Sequence, residues 1–280
     1  MTWRISTQHV STYEYSSPVA ASFNEARMTP LSSDTQTVLE SSFSVSPGAP
    51  VLRYQDYWGT AVHAFDLHER HERLRISSHS VVETTPARPL DTKVHWSEIK
   101  RDEVAQLFCE FLTPTSYVPD NPELQELAEQ FMALSSPTKA VVQICDFLRS
   151  ELDYVPGSTS VTTAADTAWT QRSGVCQDFA HLALAVLRML GIPGRYVSGY
   201  LFPLEDATVG QAREGASHAW IEVWLGGWYP VDPTNGVPVG ERHITVAKGR
   251  DYADVKPFHG IYHGGSLASL AVSVELRRVA

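Results

Sequence analysis

Cysteine, basic residues and long apolar runs are all scarce in this chain, and each scarcity removes a class of protein. The 280 residues hold only three cysteines, Cys109, Cys145 and Cys176. An odd number at such wide spacing builds neither a disulfide framework nor a zinc-ligand pattern, so at least one thiol stays unpaired within the chain. Lys and Arg number 22 against 32 Asp and Glu, and the net charge of −10 repels phosphate backbones and anionic lipid heads. Nucleic acid and membrane surfaces are therefore poor partners. No window is apolar over the length of a spanning helix, and the start of the sequence lacks the apolar stretch of a secretory signal. A cytoplasmic location is expected on these grounds. What is present, 43% hydrophobic and 19% charged residues, is the balance of a packed globular protein with a sizeable core.

The style of the sequence changes along its length. From Trp3 to about Thr85 it is rich in Ser, Thr, Val, Tyr and Phe, with short alternating stretches such as Ala61-Val62-His63-Ala64-Phe65-Asp66-Leu67. This pattern predicts an antiparallel β domain over residues 1–85. Thr84-Thr85-Pro86-Ala87-Arg88-Pro89 reads as a linker, because its prolines remove ladder donors. Asn121-Pro122 and Ser136-Pro137 each set a capping side chain before a proline suited to a first helical turn. Helices are expected from about Glu123 to Leu134 and from Thr138 to Leu152, with a short one led by Thr163-Ala164-Ala165-Asp166.

Cys176 to Leu190 is apolar on nearly every side and stops at Gly191, so it should be a buried central helix. Strands should follow at Arg195–Phe202, His218–Leu225 and Trp228–Asp232. The alternating tail from Leu267 to Val279 reads as a closing strand, which gives expected units of 1–85, 86–266 and 267–280. The segment from Gly249 to His263 reads as a polar, aromatic loop.

Most cysteines are small buried hydrophobes, and Cys109 and Cys145, in apolar helical surroundings, are read that way. Cys176 differs. The helix it opens aims unpaired amide N–H groups and a positive dipole end at the sulfur, an arrangement that favours a nucleophilic thiolate and could hold an oxyanion. Asp178 is read first as a cap or hydrogen-bond acceptor. His218, Trp220, Glu222 and Trp224 alternate along one face of their strand, while the odd positions face the core. Asp232 ends the returning strand. Together, Cys176, His218 and Asp232 are the residue types a thiol enzyme needs: a nucleophile, a base, and a third group to fix the base's tautomer. The pattern His68-Glu69-Arg70-His71-Glu72-Arg73 alternates charge as a solvated face does and is read as surface, not as a metal site.

Four stretches carry a resemblance: Gly174-Val175-Cys176-Gln177-Asp178-Phe179-Ala180, Leu190 to Tyr200, His218-Ala219-Trp220-Ile221-Glu222-Val223, and Val231-Asp232-Pro233-Thr234-Asn235. They resemble the bacterial transglutaminase-like cysteine enzyme family, over about Tyr154 to Tyr262, and residues 1–85 resemble that family's N-terminal region more loosely. The resemblance implies an α+β protein with a papain-like core, a central helix on an antiparallel sheet. It implies a catalytic triad of Cys176, His218 and Asp232 acting on a peptide or amide substrate, with no metal or cofactor. A stretch after the triad in that family points to Asp251, Tyr252 and Tyr262 as a substrate-cleft wall. Hydrolysis is slightly favoured over cross-linking, since no acceptor-amine pocket is legible. The alternatives are an inert core serving as an interaction module and a thioester-dependent acyltransferase.

Strand parity makes the triad testable in advance. A two-residue loop at Gly226-Gly227 would place Asp232 opposite Ile221, on the core face, away from His218. A three-residue loop, Leu225 to Gly227, places it opposite Trp220 and diagonal to His218. The triad therefore requires the three-residue turn with a left-handed glycine, or a bulge that makes the same shift.

Overall fold

Buried and exposed side chains alternate along Trp3–Ala26, and this 24-residue segment is one long strand, β1, around which the sheet is built. The computed structural model describes residues 2–280. β2 (Gln36–Ser46), β3 (Val51–Gln55), β4 (Ala61–Leu67) and β5 (His71–Thr84) follow, all paired antiparallel. β1 serves two sets of neighbours because its register breaks between Glu14 and Val19, so that its first part lies beside β5 and its last beside β4. The expected β-rich start is thus present, and residues 85–95, with Pro86 and Pro89, are irregular.

Helices take over next: α1 (Trp96–Ile99), α2 (Asp102–Leu107), α3 (Cys109–Leu112), α4 (Pro122–Met132) and α5 (Pro137–Glu151). The two longer ones start where their caps require. The Asn121 carboxamide oxygen accepts from the Glu123 and Leu124 amides at 2.9 and 3.1 Å, and the Ser136 hydroxyl accepts from the Lys139 amide at 3.3 Å. After the two-residue β6 (Asp153–Tyr154), α6 (Ala165–Gln171) ends on Arg172 in the left-handed region at φ 52°. β7 (Ser173–Gly174) leads into α7 (Cys176–Met189), in which every residue from Gln177 to Arg188 is buried. α7 is the centre of the main core. It packs on α4, α5 and α6 on one side and on β8 (Gly194–Leu201) and β9 (Ala212–Trp224) on the other.

The remaining strands tie the halves together. β10 (Trp228–Val231) returns beside β9, β11 (His243–Gly249) pairs with β8, and the short α8 (Tyr252–Val255) precedes β12 (Phe258–Gly264) and β13 (Leu267–Arg278). Residues 249–263 are therefore not a loop throughout, because β12 runs antiparallel to the last part of β1. β13 pairs with β1 along one edge and with the start of β9 along the other. That double pairing joins the N-terminal strands to the core strands in one curled, eleven-stranded antiparallel sheet among the described residues. The protein is α+β, as its pattern of elements requires.

Candidate active site

α7 starts sharply because Asp178 closes its first turn. One carboxylate oxygen of Asp178 accepts from the Val175 amide at 2.7 Å and from the Thr159 hydroxyl at 2.6 Å. Burial raises the pKa of this carboxyl above its ordinary value, and those hydrogen bonds pull the other way. Gly174 is needed for room: a Cβ there would stand 2.6 Å from the Asp178 side chain. The cap leaves Cys176 half-buried at the mouth of the helix. Cys145 is buried, and burial pushes its thiol up to about 12. Cys109 departs from the sequence reading, since it is exposed at the start of α3.

The hairpin between β9 and β10 has the register that brings the other two residues together. Trp228 lies opposite Trp224 and Val231 opposite Ile221, so the loop is Leu225 to Gly227, with Gly226 at φ +79°. Asp232 then follows on the His218 face, and its Oδ2 lies 2.8 Å from His218 Nε2. Both are buried, with His218 8% and Asp232 2% exposed. Burial alone would lower the His218 pKa, but hydrogen bonds to Asp232 and to Cys176, with the charges behind them, carry it up to about 9. Because Nε2 is committed to Asp232, the nitrogen left for the thiol is Nδ1. Burial acts to raise the Asp232 carboxyl, yet the hydrogen bonds from His218, His243 and Asn235 hold it well below the carboxylate range.

Two members of this network were not anticipated. The Asn235 carboxamide donates to Asp232 Oδ2 at 2.9 Å, while the backbone amides of Thr234 and Asn235 donate to Oδ1 at 2.9 and 3.1 Å. The turn Asp232-Pro233-Thr234-Asn235 is thus a cradle for its own carboxylate, a role that Asx-type side chains commonly take. His243, at the head of β11, has its Nε2 3.5 Å from Asp232 Oδ2. Its signal was the β-branched alternation of Ile244-Thr245-Val246, which marks a strand in a stretch assigned no element. Nitrogens of His218 and His243 and an oxygen of Asp232 lie within 4.8 Å of one another, close enough to ligate a cation. All three atoms already have hydrogen-bond partners, and ring N–H groups turned toward a carboxylate have no lone pair to offer a metal.

The remaining site candidates separate. Tyr252 and Tyr262 line a cleft of about 310 Å³ together with Tyr13, Tyr15, Tyr117 and Phe258. Asp251 does not face it. It is buried, and its carboxylate accepts from the Ala253 amide at 2.7 Å as the cap of α8. The Tyr252 amide donates to His181 Nε2 at 3.2 Å, which ties this segment to the middle of α7. Among residues 68–73, all are exposed except His71, which is buried beside Tyr15 with its Nδ1 2.8 Å from the Glu69 carbonyl.

Gly199 lies directly opposite His218 across β8 and β9. A Cβ at this position would overlap the Ile244 carbonyl oxygen and stand 2.6 Å from the Trp220 ring. Gly199→Ala is expected to cost about 3 kcal/mol through this overpacking, read as a lowered midpoint in thermal unfolding. An unchanged midpoint would show that β11 can move aside.

Residues 125–233 match the transglutaminase-like superfamily, and residues 5–83 match the bacterial transglutaminase-like N-terminal region. The chain belongs to the transglutaminase-like superfamily. It is 48% identical to an uncharacterized protein of Mycobacterium leprae over 99% of this chain and 100% of that protein. It is 33% identical to one of Mycobacterium tuberculosis over 98% of this chain and 93% of that protein. A crystal structure from Cytophaga hutchinsonii, described as a candidate cysteine protease, shares the fold with a TM-score of 0.75 at 24% identity, covering 99% of this chain and all of the other. A Pseudomonas aeruginosa protein named protein-glutamine gamma-glutamyltransferase is 32% identical over 41% of this chain and 18% of its own length. Among the described residues, no helix is long and apolar enough to cross a membrane.

Proposed function

We propose that the protein is a thiol enzyme that cleaves or exchanges amide bonds through a thioester on Cys176. The observation that carries this reading is the buried His218–Asp232 contact of 2.8 Å, with Cys176 half-buried at the start of the central helix and among the groups that raise the pKa of the same imidazole. In the proposed reaction, His218 Nδ1 takes the thiol proton and the sulfur attacks the substrate carbonyl carbon. The carbonyl oxygen gains the negative charge, near the first turn of α7. The amides of Asp178 and Phe179 are occupied by the Val175 carbonyl, so those of Cys176 and Gln177 are the candidates to receive it. Collapse expels the amine, which takes the proton back from the imidazolium, and a second nucleophile resolves the thioester.

Water as that nucleophile makes the enzyme a protease or amidase, and an amine makes it a transglutaminase. Hydrolysis is the slightly favoured reading on the sequence alone, in which no feature defines an acceptor-amine pocket. The names attached to the Cytophaga and Pseudomonas relatives point in opposite directions. Neutral or cationic peptides suit the net charge of −10. The three free thiols fit a reducing cytoplasm, a placement that cell fractionation would check.

Alkylation of the native protein near pH 7 tests the core of the reading. Cys176 should react faster than exposed Cys109, although it is less accessible, and buried Cys145 should be nearly inert. Labelling of Cys109 at a rate equal to or above that of Cys176 would contradict an activated thiol. A screen of peptide and isopeptide libraries with and without added amine then reports the substrate and the resolving nucleophile together.

A further inference from the structure

His243 meets the buried network at the Asp232 carboxylate. It is 4% exposed, and its ring stands edge-on to Trp220 with centroids 5.3 Å apart. Its Nδ1 lies 3.3 Å from the Gly240 backbone amide. A backbone N–H can only donate, so Nδ1 must supply a lone pair, and the proton of the neutral ring sits on Nε2. That Nε2–H faces Asp232 Oδ2 at 3.5 Å, a long contact to the same oxygen that meets His218 at 2.8 Å and Asn235 at 2.9 Å. One carboxylate oxygen is thereby divided among three N–H donors from three parts of the chain.

We propose that His243 is a positioning residue for the thiol site, whose Nε2–H steadies the Asp232 carboxylate and limits how strongly that carboxylate draws a proton onto His218. The proposal rests on the thiol-enzyme reading, because the property it tunes is the proton affinity of the base. Each donor on Oδ2 stabilises the anion without help from His218 and so weakens its pull on the imidazolium proton. Removing the His243 donor leaves the carboxylate more basic and should raise the His218 pKa.

The surroundings keep His243 neutral while this happens. Burial lowers its pKa, and the charges of His218 and Arg242 add to that, against the opposing pull of Asp232. Protonation would also require Nδ1 to give up the Gly240 amide. Arg88 and Glu222 share the narrow crevice beside the ring, but Glu222 is bound by Arg195 and Lys248 at 2.6 and 2.8 Å, and Arg242 reaches out to Glu205 at 2.9 Å. None of these brings a competing acceptor to Nε2.

Two substitutions separate positioning from packing. The carboxamide of His243→Asn can replace Nδ1 toward Gly240 but is too short to reach Asp232, whereas that of His243→Gln can extend an N–H to the Nε2 position. The rate of Cys176 alkylation by iodoacetamide, read by mass spectrometry across pH 5–10, reports the His218 ionisation as an upper inflection and needs no substrate. In the intact protein that inflection is expected near pH 9. His243→Asn should move it up by roughly half a pH unit or more, and His243→Gln should return it toward the wild-type position. Profiles that coincide for all three proteins, with only the melting temperature lowered, would make His243 a structural residue and overturn the proposal. If wild-type Cys176 shows no elevated reactivity below pH 8, the thiol-enzyme reading itself falls and takes the proposal with it. The first failure leaves the reading intact, so the two can be told apart.

Discussion

Cys176→Ala is expected to abolish turnover, by on the order of 10⁶ in rate if it follows the analogous serine nucleophile, while the protein stays folded. The α7 cap is made by the Val175 amide, Asp178 and Thr159, none of which touches the sulfur. Alanine is the best helix former at the vacated position, and the half-buried site loses little packing. Circular dichroism and thermal unfolding should match wild type, with no acyl adduct detectable by mass spectrometry after incubation with substrate. Retention of more than a few per cent of activity would move the nucleophile elsewhere, and a collapsed fold would make the sulfur structural.

The elements legible in the sequence were those whose causes are local. Asn121-Pro122 and Ser136-Pro137 start helices because cap and proline act within one turn, and both do so here. The continuous apolar face of residues 176–190 could only be satisfied by burial all round, and α7 is buried all round. Parity in the β9–β10 hairpin was legible for a similar reason: strand period and a glycine pair leave few registers, of which one sets Asp232 on the His218 face. What escaped was non-local. β12 has only lightly buried side chains, so it lacks the alternation that marks a strand, and its partner β1 lies more than 200 positions away in the chain. His243 escaped because its meaning comes from meeting Asp232 across two strands of the sheet, which no spacing in the sequence encodes. An acidic residue beside a tyrosine suits a cleft and a helix cap equally well in sequence, and the buried Asp251 carboxylate caps α8.

Asp232→Asn should leave substrate binding nearly intact and slow the chemical step by about 10⁴, the size of the equivalent change in serine enzymes. The direction follows from donors and acceptors. Asp232 Oδ1 accepts from two backbone amides, so an asparagine must place its carbonyl there. Its NH₂ then faces His218 Nε2, which has to accept, and the ring proton moves to Nδ1, where it blocks transfer from the Cys176 thiol. The pH dependence should change sign of shift as well. In the wild type the His218 pKa is raised from 6.5 to about 9, so its contribution to stability is complete below pH 6.5 and is lost as pH rises through 9. The depressed Asp232 carboxyl contributes above its ordinary 3.8 and loses that contribution as pH falls. Without the carboxylate, burial dominates at His218 and its pKa falls, so the upper limb of the rate profile should retreat to lower pH. Wild-type kcat with an unmoved upper limb in Asp232→Asn would mean that another group orients the histidine.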